Sequence, residues 1–463
     1  MSSAPARTLP SPADRLTQGP VLPVMLSLAL PNMVAMVSAA AVSIAETAYV
    51  GALGRDALAA MAVVFPFVML MQTVSNGAMG GAISAAVSRA LGADRDDAAR
   101  SLALHAAVIG LIGGLTFLAV FLLFGPALYR LLGARDAVLQ QALLYSNVLF
   151  VGAPLTWLSN SLVSVVRGSG NIRFSALLIV GATMLQVLLG AGLGLGLGPF
   201  PRWGMAGVAL GQVIAATAAT LTLLWYLRSP LPRVQLSWRG MTLNRDSFAQ
   251  ILRVGLLASL SPVQNVLTVL VLTGLIARLG VDALAGYGIG ARLEFLLIPL
   301  SFGIGVTLVP MVGMAIGRGD VARARRVAWT GALLAAAVVG TIGLWACIWP
   351  HGWASLFTDQ PHVLAQAELY LRWAGPGFAF YGFGMTLYFA SQGAGQVLGP
   401  VLGSTMRLAV IAIGGTLLWQ AQAPGWAYFA LVSVAMLAYG LFNAGALVRT
   451  DWRRAVSVAH AAR

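Results

Sequence analysis

Leu53-Gly54-Arg55-Asp56-Ala57-Leu58-Ala59 returns later in the same chain as Leu279-Gly280-Val281-Asp282-Ala283-Leu284-Ala285. Gly92 returns as Gly317, each followed by a charged stretch. Val138-Leu139, Gln141-Ala142 and Tyr145 return as Val363-Leu364, Gln366-Ala367 and Tyr370, and Gly168-Ser169-Gly170 returns as Gly393-Ala394-Gly395. The offset is 225 or 226 positions each time. A hydrophobic chain built as two copies of one module is the usual plan of a secondary transporter, with its site between the copies.

Composition fixes the solvent. Of the 463 residues 59% are hydrophobic and 9% charged, and the mean hydropathy is +0.85. A soluble domain carries roughly 25% charged residues, so this is an integral membrane protein. Its long apolar runs are helical rather than the alternating segments of an outer-membrane barrel. The first twenty residues lack an apolar core followed by a cleavage site, so no signal peptide is expected. The net charge of +14 does not indicate nucleic-acid binding, because the charges lie in connections between apolar segments. Every basic residue is Arg. The single Cys347 excludes an intrachain disulfide, and the scattered His105, His351, His362 and His460 offer no metal or haem spacing.

A membrane helix needs about 20 mainly apolar residues. Twelve candidates follow, near 22–50, 57–88, 100–124, 137–166, 172–197, 203–227, 248–277, 283–316, 324–349, 363–391, 396–420 and 424–448. Glycine, proline and charge mark the breaks, Gly125-Pro126 among them. Twelve helices in two copies give two parallel six-helix lobes, residues 1–235 and 236–463. Twenty of the 28 arginines fall before helix 1, after the even-numbered helices or in the tail; five fall on the other side and three inside spans. The positive-inside rule then places both termini and the 228–253 connection in the cytoplasm.

An acid in mid-bilayer costs several kcal/mol and is a functional candidate by default. All eleven Asp lie in loops or at helix ends, whereas the three Glu lie inside spans. Glu46 sits in helix 1, fifteen residues beyond Pro31, which can bend that helix. The functional reading is a protonatable carboxylate in the first lobe; the plainer one is an end residue solvated by headgroup water. Glu294 lies deep in helix 8, where coupling chemistry and a structural pair with Arg407 of helix 11 stand level and are compatible. Glu368 and Arg372 are spaced i,i+4 in the order that favours a surface pair. Asn32, Tyr49, Asn160, Gln186 and Gln212, with Arg407, are candidates to line the cavity; amides inside spans also serve as interhelix hydrogen bonds.

The stretches Ala29-Leu30-Pro31, Glu46 to Gly54 and Asp56 to Ala60 resemble the opening of MATE (multidrug and toxic compound extrusion) transporters. Arg167-Gly168-Ser169-Gly170-Asn171, Leu197 to Pro201 followed by Gly204 to Gly207, Asp282 to Glu294 and Gln392 to Gly395 fit the same pattern, closer to the DinF-type than to the NorM-type branch. The resemblance implies two bundles around a cleft that opens alternately to either side, and export of bulky, often cationic, amphipathic compounds in exchange for H⁺ or Na⁺. It implies a coupling role for Glu46, where many members carry Asp, and bending at Pro31. Two departures stand out. Members with a sodium site often carry an Asp in helix 5 where this chain has Gly190, and Asn265 and Tyr381 fall near the NorM-type acids of helices 7 and 10. A lone Glu46 with amides suits a proton better than Na⁺, which prefers several hard oxygens.

The expected function is therefore a proton-coupled efflux antiporter, not an enzyme, in a bacterial inner membrane. It would work as a monomer without cofactor or metal, with small-molecule substrates, H⁺ (alternatively Na⁺) and the lipid bilayer as its partners. Two other readings are a lipid-linked saccharide flippase, which Arg292 and Arg407 keep open, and a membrane-embedded transferase. For the latter the only acid cluster is Asp94, Asp96 and Asp97, set among arginines in a short connection.

Overall fold

The residues that repeat in sequence repeat in backbone geometry. Gly54 opens one helix at φ +119°, ψ 174°, and Gly280 opens another at φ +118°, ψ 170°. That region is essentially reserved for glycine. Gly170 and Gly395, the second repeated pair, also have positive φ, +93° and +74°.

The computed structural model describes residues 16–236 and 243–461, and every regular element within them is a helix. Residues 237–242, Arg239 included, lie outside the described residues, as do 1–15. The spans in chain order are α1 (Val21–Gly51), α2 (Arg55–Gly92), α3 (Asp96–Leu131), α4 (Asp136–Val151 and Ala153–Gly168, bent by 47°), α5 (Ile172–Leu195) and α6 (Gly204–Arg228). The second repeat holds α7 (Arg245–Ala277), α8 (Val281–Gly317), α9 (Val321–Ile348), α10 (Pro361–Ala374 and Phe378–Gly393, joined by the 3₁₀ turn Gly375–Gly377), α11 (Leu398–Gln420) and α12 (Gly425–Arg449). A short helix, α13 (Trp452–Ala461), follows. Ten spans are helices long and apolar enough to cross a membrane, and α4 makes an eleventh as a bent pair; α10 is a helix broken at the Gly375–Gly377 turn. Together they form the two six-helix repeats.

One helix departs from the expected pattern. α3 runs through Gly125-Pro126 to Leu131, because one missing N–H inside a 36-residue helix is not enough to stop it. α1 likewise continues through Pro31, which leaves the Ser27 carbonyl without its i+4 donor.

The repeats meet at one end. There α8 packs against α1 and the Gly80–Gly92 part of α2, and Phe378–Gly393 packs on the same part of α2. Repeat-equivalent glycines make these approaches. A Cβ on Gly92 would press on the Met314 backbone, and one on Gly317 would lie 2.8 Å from the Gly92 Cα. Within the lobes, Gly168 lies on Ser84 and its counterpart Gly393 on Val309. The other half of α2, Arg55–Gln72, packs mainly within its own bundle.

Several charged groups at the ends of the spans and in their connections are paired. Arg233 holds Asp96 at 2.9 Å and Asp94 at 3.3 Å, and Arg100 holds Asp97 at 3.5 Å. The acid cluster is thus a neutralised connection. His105 fastens the link between repeats: its Nε2 accepts the Asn244 N–H at 2.9 Å, which leaves Nδ1 to donate to the Ser101 carbonyl at 2.7 Å. Arg323 of α9 grips the Leu16 and Gly19 carbonyls at the foot of α1. Glu368 pairs with Arg372 at 3.7 Å, as its spacing suggests, and also with His351 at 2.9 Å.

Candidate functional site

The buried face of α1 carries Met25, Ala29, Asn32, Ala35, Val42, Glu46 and Tyr49. These positions follow the helical repeat, so Glu46 lies on the stripe that packs against protein. It is 7% exposed, too enclosed for an end residue bathed in water. The Gln186 amide of α5 donates to its Oε1 from 2.8 Å. Tyr49, one turn further on, sits close to Glu46 electrostatically, and Tyr145 of α4 lies in the same field.

Gly190 explains how Tyr49 fits. A Cβ there would lie 2.7 Å from the Tyr49 hydroxyl. The space that a helix 5 side chain would take is therefore occupied by a phenol from helix 1. On its other side Gly190 touches Gly211 of α6, beside the buried Gln212. Gln212 does not bond to Glu46, whose amide partner is Gln186.

In the second repeat the corresponding cluster is built differently. Glu294 of α8 is half-buried and accepts a hydrogen bond from the Tyr370 hydroxyl of α10. Tyr370 reaches it because Gly290 leaves room for its ring, and Tyr287 and Phe429 pack on Tyr370 edge-on, at 5.4 and 5.3 Å. Arg407 is 8% exposed. Its Nη1 donates to Asn265 Oδ1 at 3.4 Å and its guanidinium lies over the Tyr381 ring at 4.8 Å, with Tyr439 beside that ring. Among the described residues the direct pair between Glu294 and Arg407 does not form; the two act on each other only through space. Arg292 is exposed and covers Phe357 at 5.0 Å, away from this cluster.

The other expected amides have structural partners. Asn32 is fully buried and donates to the Gly303 carbonyl of α8 at 3.0 Å, tying the repeats together. Asn160 donates to Gln72 Oε1 at 3.1 Å and Ser75 Oγ at 2.8 Å. Both acceptors flank or belong to a π-helical turn, Thr73–Met79, inside α2. Such bulges occur often at functional sites. The sequence reading missed this turn; the cluster Thr73, Ser75, Asn76 and Gly77, ahead of Gly80-Gly81, was its available signal. Arg167 and its repeat counterpart Gln392 both grip the turn, through Asn76 Oδ1 at 2.8 Å and the Ala78 carbonyl at 2.9 Å.

Chemically, Glu46 is a carboxyl held by one amide donor, and Glu294 a carboxyl held by one phenol.

Comparison with known proteins agrees with this architecture. The chain is 26% identical over 361 residues to a protein named FAD transporter from Shewanella oneidensis, covering 77% of this chain and 78% of that one. It is 25% identical over 423 residues to a probable multidrug resistance protein NorM from Thermotoga maritima, covering 91% and 87%. A solved transporter from Pyrococcus furiosus, described as having a binding pocket of reverse polarity, superposes with a TM-score of 0.87 at 21% identity over 98% of this chain and all of that one. An outward-facing multidrug resistance transporter superposes with a TM-score of 0.84 at 22% identity, over 97% of each chain. The MatE family model matches residues 31–191 and 260–418, one stretch in each repeat. The chain belongs to the MatE family of membrane transporters.

Proposed function

We propose that this transporter exports bulky amphipathic organic cations in exchange for H⁺ by alternating access, and that Glu46 carries the proton. One observation supports the choice of ion. The buried carboxylate accepts from the Gln186 amide and has the neutral Tyr49 phenol beside it, and Gly190 brings no second acid. Hard metal cations need several oxygens to replace their water; a proton needs one. Glu294, capped by Tyr370, is a second proton carrier in the other lobe.

The lobes comprise residues 1–235 and 236–463. With the arginine-rich connections inside, both termini are cytoplasmic and the junction of α2, α8 and α10 is the cytoplasmic gate, closed in this structure. Pro31 supplies the bend in α1 that changes the surroundings of Glu46. The protein belongs to the DinF-type branch and works as a monomer in a bacterial inner membrane. The test is substrate-driven proton movement. Adding a fluorescent organic cation to one side of proteoliposomes at equal pH should move protons in the opposite direction, and the Glu46→Gln protein should not. Drug movement with no pH change inside would reject proton exchange.

A second reading rests on Arg407. It is a buried cation beside two tyrosine rings and, among the described residues, without an ion-pair partner, an arrangement that suits an anionic aromatic substrate, and one relative is named FAD transporter. Including a flavin dinucleotide among the transported compounds separates the two readings.

A further inference from the structure

A small cavity lies between the repeats, apart from both carboxylates. Its walls are Asn76, Gly77, Gly80, Gly81, Ser84 and Arg167 from the first repeat, closed by Val306, Val309 and Phe389 from the second. Arg167 is 2% exposed, one of the largest fully buried side chains of the molecule. Only its Nη1 is bonded, to Asn76; its Nε and Nη2, and the Ser84 hydroxyl, have no partner. Among the described residues no carboxylate pairs with it.

A guanidinium removed from water is costly unless its charge and its donors are met. The C-terminal end of α4, where Arg167 sits, supplies a partial negative charge but not a whole one. Water would satisfy the donors and leave the charge. An anion satisfies both. The cavity is small, with room for about one particle and too little for an organic molecule.

We propose that this cavity is a binding site for a small inorganic monovalent anion of halide size, held by Arg167 Nε and Nη2 and Ser84 Oγ. Because the second repeat forms part of its wall, the site exists only while the two repeats are packed at this end. An anion bound there stabilises that packed state in proportion to its occupancy. The anion is a latch on the gate, distinct from the coupling ion and the substrate.

The test uses the full-length protein in neutral-lipid nanodiscs with sodium chloride, bromide, gluconate or sulfate at matched ionic strength. Thermal unfolding is one readout. The other is the distance between spin labels at the exposed positions Asp97→Cys and Arg326→Cys, in a Cys347→Ala background. Chloride and bromide are expected to raise the unfolding midpoint by several degrees over gluconate and sulfate. The closed-to-open ratio should rise about tenfold at ten times the dissociation constant. Ser84→Ala, which removes one unpartnered hydroxyl and leaves the packing intact, should raise the half-maximal chloride concentration several-fold, and Arg167→Gln should abolish the response. Identical midpoints and distances in chloride and gluconate would show that water alone fills the cavity and overturn the proposal. An anion effect of equal size in wild type and Ser84→Ala would place the anion elsewhere and overturn it as well.

Discussion

The two repeats share a backbone and keep their carboxylates on different helices. Tyr145 and Tyr370 are equivalent, and each stands beside a carboxylate. Yet Glu46 projects from α1, the first helix of its repeat, and Glu294 from α8, the second helix of the other. The position equivalent to Glu46 is Leu272, and the one equivalent to Glu294 is Val68. Repetition therefore preserved what the scaffold requires: the left-handed glycines at 54 and 280, and the facing glycines 92 and 317. It did not preserve the acids. The first repeat pairs its acid with an amide and surrounds it with neutral groups. The second pairs its acid with a phenol and sets an arginine nearby. On the proposed reading, this difference makes the first lobe the main proton carrier and the second a site whose net charge depends on its proton.

The strongest way to break the comparison is to neutralise each acid in turn. Glu46→Gln is expected to bring gradient-driven export down to the level of empty vesicles while the protein still folds. Glu294→Gln, which leaves Arg407 uncompensated, is expected to slow export of a cation by roughly tenfold, the effect of about 1.4 kcal/mol. Equal losses in the two variants would erase the distinction between the lobes. The converse change sharpens it: Arg407→Gln should leave organic-cation export at or above wild type while removing any flavin export.

Packing tests come next in size. Gly190→Ala forces the Tyr49 hydroxyl to move, with an expected cost of 1–3 kcal/mol typical of overpacking, read as a lower unfolding midpoint. Tyr49→Phe in the same protein should recover most of that loss, since the atom in conflict is gone; if the two losses simply add, the contact is not the cause. Gly54→Ala and Gly280→Ala should each cost about 1 kcal/mol through their backbone angles. The two effects should match closely, because the scaffold treats the repeats alike.

Much of this was legible in the sequence. A span of about 20 apolar residues announces itself whatever it packs against, and all twelve lie within a few residues of their expected bounds except at α3, which continues past Pro126 to Leu131. The Glu46–Gln186 contact joins two residues already suspected, because polar groups are rare in an apolar helix. What stayed hidden depends on the approach of distant segments. Asn32 meets Gly303 across the repeats, and Arg407 turns to Asn265 and Tyr381 rather than Glu294. Helices that are apolar on every side give periodicity little to report, so their facing cannot be read in advance. The π turn at Thr73–Met79 escaped because it is one wide turn within a continuous helix. Arg167 was noticed as part of a motif, but not as a buried charge, because its cover comes from the other repeat.

The central claim is that the Glu46 carboxylate, with no second acid beside it, couples export to protons rather than to sodium. Export of a fluorescent organic cation from proteoliposomes, driven by an imposed proton gradient or by an imposed sodium gradient at equal pH, tests it most directly. One-for-one exchange of H⁺ for a monovalent cation moves no net charge, so one pH unit should support about tenfold accumulation. The sodium gradient should leave the rate unchanged. Export that follows sodium and ignores pH would contradict the account, and would mean that oxygens beyond the Glu46 carboxylate complete a metal-ion site in the first lobe.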